Sequence, residues 1–429
     1  MQPALLSREN TLILLCCSIE PDAQQQTAID ALLAQHLDWE CIVNITVRHG
    51  IANLLYKNII DRENRSCVPP AILDRLEKCY HGAAYSNLLF LKEYKEIAHA
   101  FNAEQVALLP LKGIDFFRTV YPNIALRTSS DMDILVKKED LDRAIDILRG
   151  LGYVQKKTGH AAAKIFHFVF FRPVAAASVF VELHWDLDIP QSPFKVSVDD
   201  FWSRAEIVTS GGNWFYRLSL EDNILFTAFH ILRAPLAGDT RGIVSLRGLV
   251  DVSEMIKKYG DRINWEATIN RAQQYHVERP VLLVLHLLEE LLHVQARGSV
   301  REELQKRGFQ EDMLNRMARE WIFCCKGTED IFLPNIIDAT ASEEGPAKKL
   351  SVLKIFHTMY VVLRHQIRTA PSLLQAFKVI RIKFWKSFIN YLKIGYLMVC
   401  DYKKASRILH DELVKKSELE EIDNWIRSG

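Results

Sequence analysis

The sequence predicts an α+β protein. A small mixed-sheet core at residues 105–218 is flanked by an N-terminal helical domain at 1–104, a helical domain at 219–340 and a C-terminal helical region at 341–429. Three observations carry that prediction. Apolar residues recur at three- and four-residue spacing on both flanks, which is the period of an amphipathic helix. In the middle, Val179-Phe-Val-Glu-Leu-His-Trp185 alternates every second residue, which is the period of a half-buried strand. Asp131-Met-Asp-Ile-Leu-Val136 runs from a polar loop into strand formers and stops at Lys137-Lys-Glu139.

Taken in order, the first domain reads as helices over Ala28 to His36, Trp39 to Arg48, Ile51 to Ile60 and Ala71 to Asn102, with Pro69-Pro70 as a break. Arg48-His49-Gly50 reads as a helix end, with cations toward the dipole, His49 as a cap and glycine just beyond. A strand over Val106 to Leu111 ends at Lys112-Gly113, and Ile114 to Val120 follows as a short helix. Arg127-Thr-Ser-Ser130 is the approach to Asp131. Leu141 to Leu151 is an amphipathic helix, and Tyr153 to Lys157 and Phe166 to Arg172 are further strands. His160 and His167 flank the second of these; His167 reads first as a hydrogen-bonded structural histidine, the alternative being that it approaches the site. Ser219-Leu-Glu-Asp222 is a capping box opening a helix that carries His230. Arg247, Asp251 and Glu254 share one side of the next helix, where Arg247 and Asp251 are expected to pair. His286, Glu289, Glu290 and His293 fall near one helical face, but the surrounding leucines read as packing.

Composition narrows the function classes. Lys plus Arg number 54 against 53 for Asp plus Glu, so no global field points to nucleic acid. The eight cysteines include Cys16-Cys17 and Cys324-Cys325 and form no Cys-x-x-Cys, the expectation being reduced, buried thiols rather than a disulfide or zinc framework. No basic, apolar leader and no uncharged transmembrane run is seen, which predicts a cytoplasmic protein. From Lys348 to Cys400 there are ten Lys/Arg and no Asp/Glu. Within it, Leu373, Phe377, Ile380, Phe384 and Phe388 interleave with Lys378, Arg381, Lys383 and Lys386. Residues 372–400 therefore read as a basic amphipathic helix suited to an anionic membrane surface at the inner face, to a nucleic acid, to an acidic partner, or to the chain's own acidic helices.

The chemistry-bearing residues lie in the core. Asp-x-Asp alone is weak, because Asp140-Leu-Asp142 and Asp186-Leu-Asp188 also occur, the first as an acidic helix start and the second as a strand exit. Asp131 and Asp133 differ in leading into a strand, on one face and roughly 7 Å apart along it. Carboxylates so placed suit hard divalent cations roughly 3.5–4 Å apart. Glu182 and His184 share the face of their strand opposite Val181 and Leu183. A covered mid-strand glutamate needs a metal, a proton or a cation beside it.

Leu-Lys-Gly113, Tyr121-Pro122, Ala125-Leu-Arg127, Asp-Met-Asp-Ile-Leu-Val136, Leu-Gly-Tyr153 and Val-Glu-Leu-His-Trp185 together resemble a little-characterised bacterial nucleotidyltransferase-like family of the polymerase-β type nucleotidyltransferase superfamily. On either side, Asp38-Trp39, Arg48-His-Gly50 and Asn53-Leu-Leu-Tyr56, then Leu249-Val-Asp251, Ile263-Asn-Trp265 and Arg271-Ala272, are similar to its helical regions, so that the resemblance spans residues 30 to 290. The superfamily's usual Gly-Ser after the first strand is Lys112-Gly113 here.

The resemblance implies a metal-dependent nucleotidyltransferase that moves a nucleoside monophosphate from a triphosphate such as ATP to an acceptor, releasing pyrophosphate. Asp131, Asp133 and Glu182 are the expected catalytic and metal-ligating residues, for two Mg²⁺ ions or Mn²⁺ in their place. Lys112, Gly113, Arg127, Ser129, Ser130 and His184 are the expected phosphate and substrate contacts. The acceptor is a small molecule, a protein or a nucleic acid. The competing expectation is an inactive nucleotide-binding or helical interaction protein.

Overall fold

The computed structural model describes residues 6–323, except 157–165, 175–176, 191, 211, 237–243, 297–299 and 319–321, together with residues 421–427. The chain opens on helices α1 (Arg8–Leu15), α2 (Ala23–Leu33), α3 (Trp39–Arg48), α4 (Ala52–Ile60) and α5 (Pro70–Ala103). Their starts are written in the sequence. Ser7 and Asp38 accept from the backbone N–H groups of Asn10 and Cys41, and Asp22 and Gln25 form a reciprocal capping box. That box starts α2 five residues before the expected Ala28, in a glutamine-rich turn with no apolar signal. Pro70 sits in the first turn of α5, where its missing N–H costs nothing. At 34 residues α5 is about 50 Å long.

The sheet follows: β1 (Leu109–Leu111), helix α6 (Gly113–Thr119), β2 (Met132–Leu135), helix α7 (Leu141–Gly150), β3 (Val154–Gln155), β4 (His167–Val174) and β5 (Ala177–His184). The order across it is β1-β2-β5-β4-β3, with β2 and β5 parallel and the other neighbours antiparallel. The sheet is therefore mixed. β1 is shorter than its sequence run, and just before it the Leu108 carbonyl accepts from Tyr216 N at 2.8 Å. One face packs on α5 and α7 through Ile97, Phe101, Ile134, Leu148, Phe170, Val181 and Leu183, all essentially inaccessible. Burying each such side chain contributes about 1.5–3 kcal/mol. Period-two alternation then obliges Asp133, Glu182 and His184 to take the other face.

Helix α8 (Val198–Arg204) and the hairpin β6 (Glu206–Ser210) and β7 (Asn213–Arg217) lead to α9 (Leu220–Leu236), α10 (Leu246–Tyr259), α11 (Trp265–Gln274), α12 (Glu278–Leu292), α13 (Val300–Lys306) and α14 (Glu311–Met317). One compact unit takes in Met1–Leu236, Ile243–Phe323 and Trp425–Gly429; the other, Ala237–Gly242 with Cys324–Asn424, falls almost wholly outside the described residues. The expected basic amphipathic helix at 372–400 and His160 also lie outside them. No described helix is long and apolar enough to cross a membrane.

Two expectations are corrected. Cys16, Cys17, Cys67 and Cys79 are free, but Cys41 is disulfide-bonded, a pairing that no local cysteine spacing announced. Arg247 does not pair with Asp251: its guanidinium donates to the Thr128 carbonyl at 3.1 Å, and Asp251 has a different partner, described below.

Candidate active site

The parallel pairing of β2 with β5 sets Asp133 directly opposite Glu182, and Leu135 opposite His184. β4 adds His167 as the register partner of His184. Asp131 lies one residue before β2, in the bend that delivers the chain to it. Strand pairing thus gathers the three acids that the sequence separates.

Asp133 is the hub. Its Oδ1 accepts from Lys112 Nζ at 3.2 Å and from His184 Nε2 at 3.0 Å, and it is 6% exposed. Burial opposes its ionisation, but Lys112, His184 and His230 together hold the carboxyl well below the ordinary carboxylate range. Asp131 goes the other way: burial raises it, and the neighbouring charges of Asp133 and Glu182 raise it further. Glu182 is lowered, since the hydrogen bond from His184 and the nearby His167 outweigh its burial and Asp133. His184 is raised although burial opposes its cation, because Asp133 and Glu182 both accept from it.

Lys112 is placed by strain. It links β1 to α6 with φ +50°, a left-handed conformation that costs a non-glycine residue of order 1 kcal/mol or more. Its ammonium reaches Asp133 on one side and donates to His230 Nε2 at 2.9 Å on the other. His230, on α9, thereby joins the candidate site, although the sequence did not single it out. The usable signal was a lone imidazole among Phe226, Phe229, Ile231 and Leu232.

Gly113 serves a close approach. A Cβ there would meet Ser129 Oγ at 2.6 Å and Arg127 Nη1 at 2.9 Å, so the glycine admits the 127–130 loop against α6. Ser129 Oγ donates to the Asp131 carbonyl at 3.2 Å, and Ser130 Oγ donates to Asp131 Oδ2 at 3.0 Å. Both hydroxyls thus orient Asp131. Gly50, at φ +66° after α3, takes the same loop from behind: its carbonyl accepts from Thr128 Oγ1 at 2.7 Å.

Arg127 has a different occupation from the one its sequence position suggests. Its Nε and Nη2 each donate to Asp251, both at 2.8 Å, and Nη1 turns back to Thr128 O and Ser129 Oγ. Tyr121 donates to the same Asp251 at 2.7 Å. Burial would lower the guanidinium, but Asp251 outweighs it and keeps Arg127 charged. Each guanidinium nitrogen therefore donates within the protein, and Arg127 is a strap between the loop before Asp131 and helix α10. Asn87 on α5 completes the hold by donating to the carbonyls of Ile124 and Arg127, both at 2.6 Å. His49 is more than a cap. Its Nδ1 accepts from Leu246 N at 3.2 Å and its Nε2 donates to Ile322 O at 2.8 Å. His286 is buried on α12 against Phe309, its Nδ1 3.9 Å from Glu289.

Three comparisons bear on this arrangement. A family model described as an uncharacterised nucleotidyltransferase matches residues 35–293, which takes in the whole sheet, α5 and α10. No curated protein matches the chain. Among solved structures, the chain is similar to an antigenic nucleotidyltransferase-like protein from Paracoccidioides brasiliensis, at 13% identity and a TM-score of 0.30, over 49% of this chain and 94% of that one. With more than half its length inside the family model, the chain belongs to the uncharacterised nucleotidyltransferase family.

Proposed function

We propose that the protein transfers a nucleoside monophosphate from a nucleoside triphosphate to an acceptor hydroxyl, releasing pyrophosphate. The observation that carries this reading is the register of β2 and β5, which sets Asp133 against Glu182 with Asp131 beside them. The donor set fits a divalent cation of the Mg²⁺ or Mn²⁺ class: three carboxylates crowd closely enough that Asp131 is raised by the other two, and a bound cation relieves that crowding. Asp131 and Asp133 would hold such an ion with the triphosphate, and Glu182 would hold or orient a second. When bound, the ions neutralise phosphate charge and lower the pKa of the acceptor hydroxyl.

The protein's own groups supply the rest. The acceptor oxygen bonds to the α-phosphorus as the bond to the bridging oxygen breaks, and the acceptor's proton passes to Glu182. Lys112, strained into place, offsets charge moving onto pyrophosphate, with His230 fixing its direction. Ser129 and Ser130 keep Asp131 in position. Arg127 acts on this reading through the loop it straps and not by touching phosphate.

Incubating the protein with Mg²⁺ and each α-labelled triphosphate, alone and with cell lysate, tests the reading. Label should move to a protein, nucleic acid or small molecule, which also sorts the acceptor. In the doubly substituted Asp131→Asn/Asp133→Asn variant, transfer and the Mg²⁺-dependent thermal stabilisation by triphosphate should both vanish. Stabilisation that survives the double substitution refutes the site. Stabilisation without transfer to any acceptor would make the chain a nucleotide-binding module.

A further inference from the structure

Beside the two aspartates, the strands bring together a second kind of donor set. His167 on β4 and Glu182 and His184 on β5 present ligand atoms that all lie within 4.8 Å of one another; among the described residues this is the one such group. His184 Nε2 is 3.5 Å from Glu182 Oε2, and His167 Nε2 is 3.8 Å from the same oxygen. Donors bound to one tetrahedral ion at ~2.0–2.1 Å lie about 3.3 Å apart, so small side-chain rotations suffice to close the site.

We infer that His167, Glu182 and His184 form a binding site for an imidazole-preferring divalent metal ion of the Zn²⁺ class, next to the aspartate pair. Two imidazoles and one carboxylate form a softer set than the all-oxygen ligands that Mg²⁺ prefers. The backbone fixes the set. His167 and His184 are register partners across an antiparallel pair, and Glu182 and His184 are two residues apart on one face of β5. The two rings stand 4.9 Å apart, and Phe166 packs on both. An apolar wall of that kind screens the donors from bulk water and favours ligation. His184 Nδ1 is buried without a hydrogen-bond partner, so the ring meets the carboxylates through Nε2, and a metal ion bound there displaces the proton that Nε2 donates to Asp133 and Glu182, releasing it to solvent. Glu182 at 28% and His167 at 23% side-chain exposure leave an entry path, with buried His184 as the floor. Asp133 Oδ1, 3.0 Å from His184 Nε2, is near enough to serve as a fourth ligand.

This inference concerns binding, and it stands or falls separately from nucleotidyl transfer. Glu182 is common to both, so on the proposed reaction the acceptor-side ion would be the softer one. The full chain, stripped with EDTA and freed of chelator, is titrated with Zn²⁺ by calorimetry and with Co²⁺ by visible absorption. One equivalent of Zn²⁺ should bind at least ~100-fold more tightly than Mg²⁺, with intensified Co²⁺ ligand-field bands. His184 is buried, so its removal risks the fold; His167→Gln is the primary variant, and its metal-free unfolding midpoint reports that it is folded. His167→Gln should weaken Zn²⁺ by about 10- to 100-fold or more, the range in which the supporting partners of metal ligands act. Zn²⁺ no tighter than Mg²⁺, or unchanged in His167→Gln, overturns the site. Tight, His167-dependent Zn²⁺ without label transfer leaves the site standing and removes the nucleotidyl-transfer reading. Label transfer without tight Zn²⁺ does the reverse.

Discussion

Asp251→Asn decides whether Arg127 is a strap or a phosphate clamp. In the wild type the two side chains are 5% and 3% exposed and share two bonds of 2.8 Å. Asparagine keeps the shape but offers one neutral oxygen, so the guanidinium keeps its charge in a site that no longer balances it. Removing one partner of a buried pair costs about 3–5 kcal/mol, whereas replacing both by apolar groups of similar size is often neutral. Urea unfolding of Asp251→Asn should therefore show a loss of about that size, and the Arg127→Met/Asp251→Leu pair should recover most of it. Arg127 lies four residues before Asp131. Loosening its loop should thus weaken Mg²⁺-triphosphate binding in the single variant. A clamp predicts the opposite, because Asp251→Asn would free the guanidinium for phosphate. Stability within about 1 kcal/mol of wild type, together with tighter triphosphate binding, would refute the strap.

Glu182→Gln keeps size and hydrogen bonding but removes charge and base; transfer of an α-label should fall about 10²–10⁴-fold while triphosphate affinity, read by thermal shift, stays within about tenfold. Equal loss of both would place Glu182 on the triphosphate side. Stability should also depend on pH through His49. His49 is pushed down to about 4 by burial and by the nearby Arg48 and Arg247, against an ordinary 6.5. Between those values the unfolded chain binds a proton that the folded chain refuses, so this contribution is complete above pH 6.5 and is lost as pH falls toward 4. A gap of about 2.5 pH units is worth about 3 kcal/mol. His49→Gln should flatten that slope in urea unfolding from pH 7.5 to 4.5, and parallel curves for variant and wild type would exclude His49 as its source.

Much of the candidate site's placement was legible because strand periodicity is local. The alternation in Val179 to Trp185 assigns Glu182 and His184 to one face with no knowledge of the fold, and the polar lead into Ile134 marks Asp131 and Asp133. The parts that were not legible depend on partners far along the chain. Arg127 looked like a phosphate ligand because its partner lies 124 residues away. Asp251 nonetheless carried a signal: Leu249, Val250 and Val252 beside it point to several sides of the helix, which marks a stretch buried all round, and a carboxylate there requires a cation. His230 gave less warning, since its role depends on the strained turn of Lys112. The disulfide of Cys41 gave none, because no Cys-x-x-Cys or similar local spacing involves it.

The parallel pairing of β2 with β5 also has a consequence in time. Asp133 and Glu182 are 49 residues apart in sequence. Closing a segment of that length costs about 3.4 kcal/mol of chain entropy beyond a constant, before any strand contact repays it. A growing chain cannot assemble the acids until β5 has emerged, and the loop before Asp131 gains its strap only after Asp251 is made. Register is the hazard in that interval. A slip of one residue between β2 and β5 would send Glu182 and His184 into the packed face and bring Val181 and Leu183 out to replace them. The apolar face penalises that slip side chain by side chain, so the core that stabilises the sheet also proofreads the alignment on which the proposed chemistry depends.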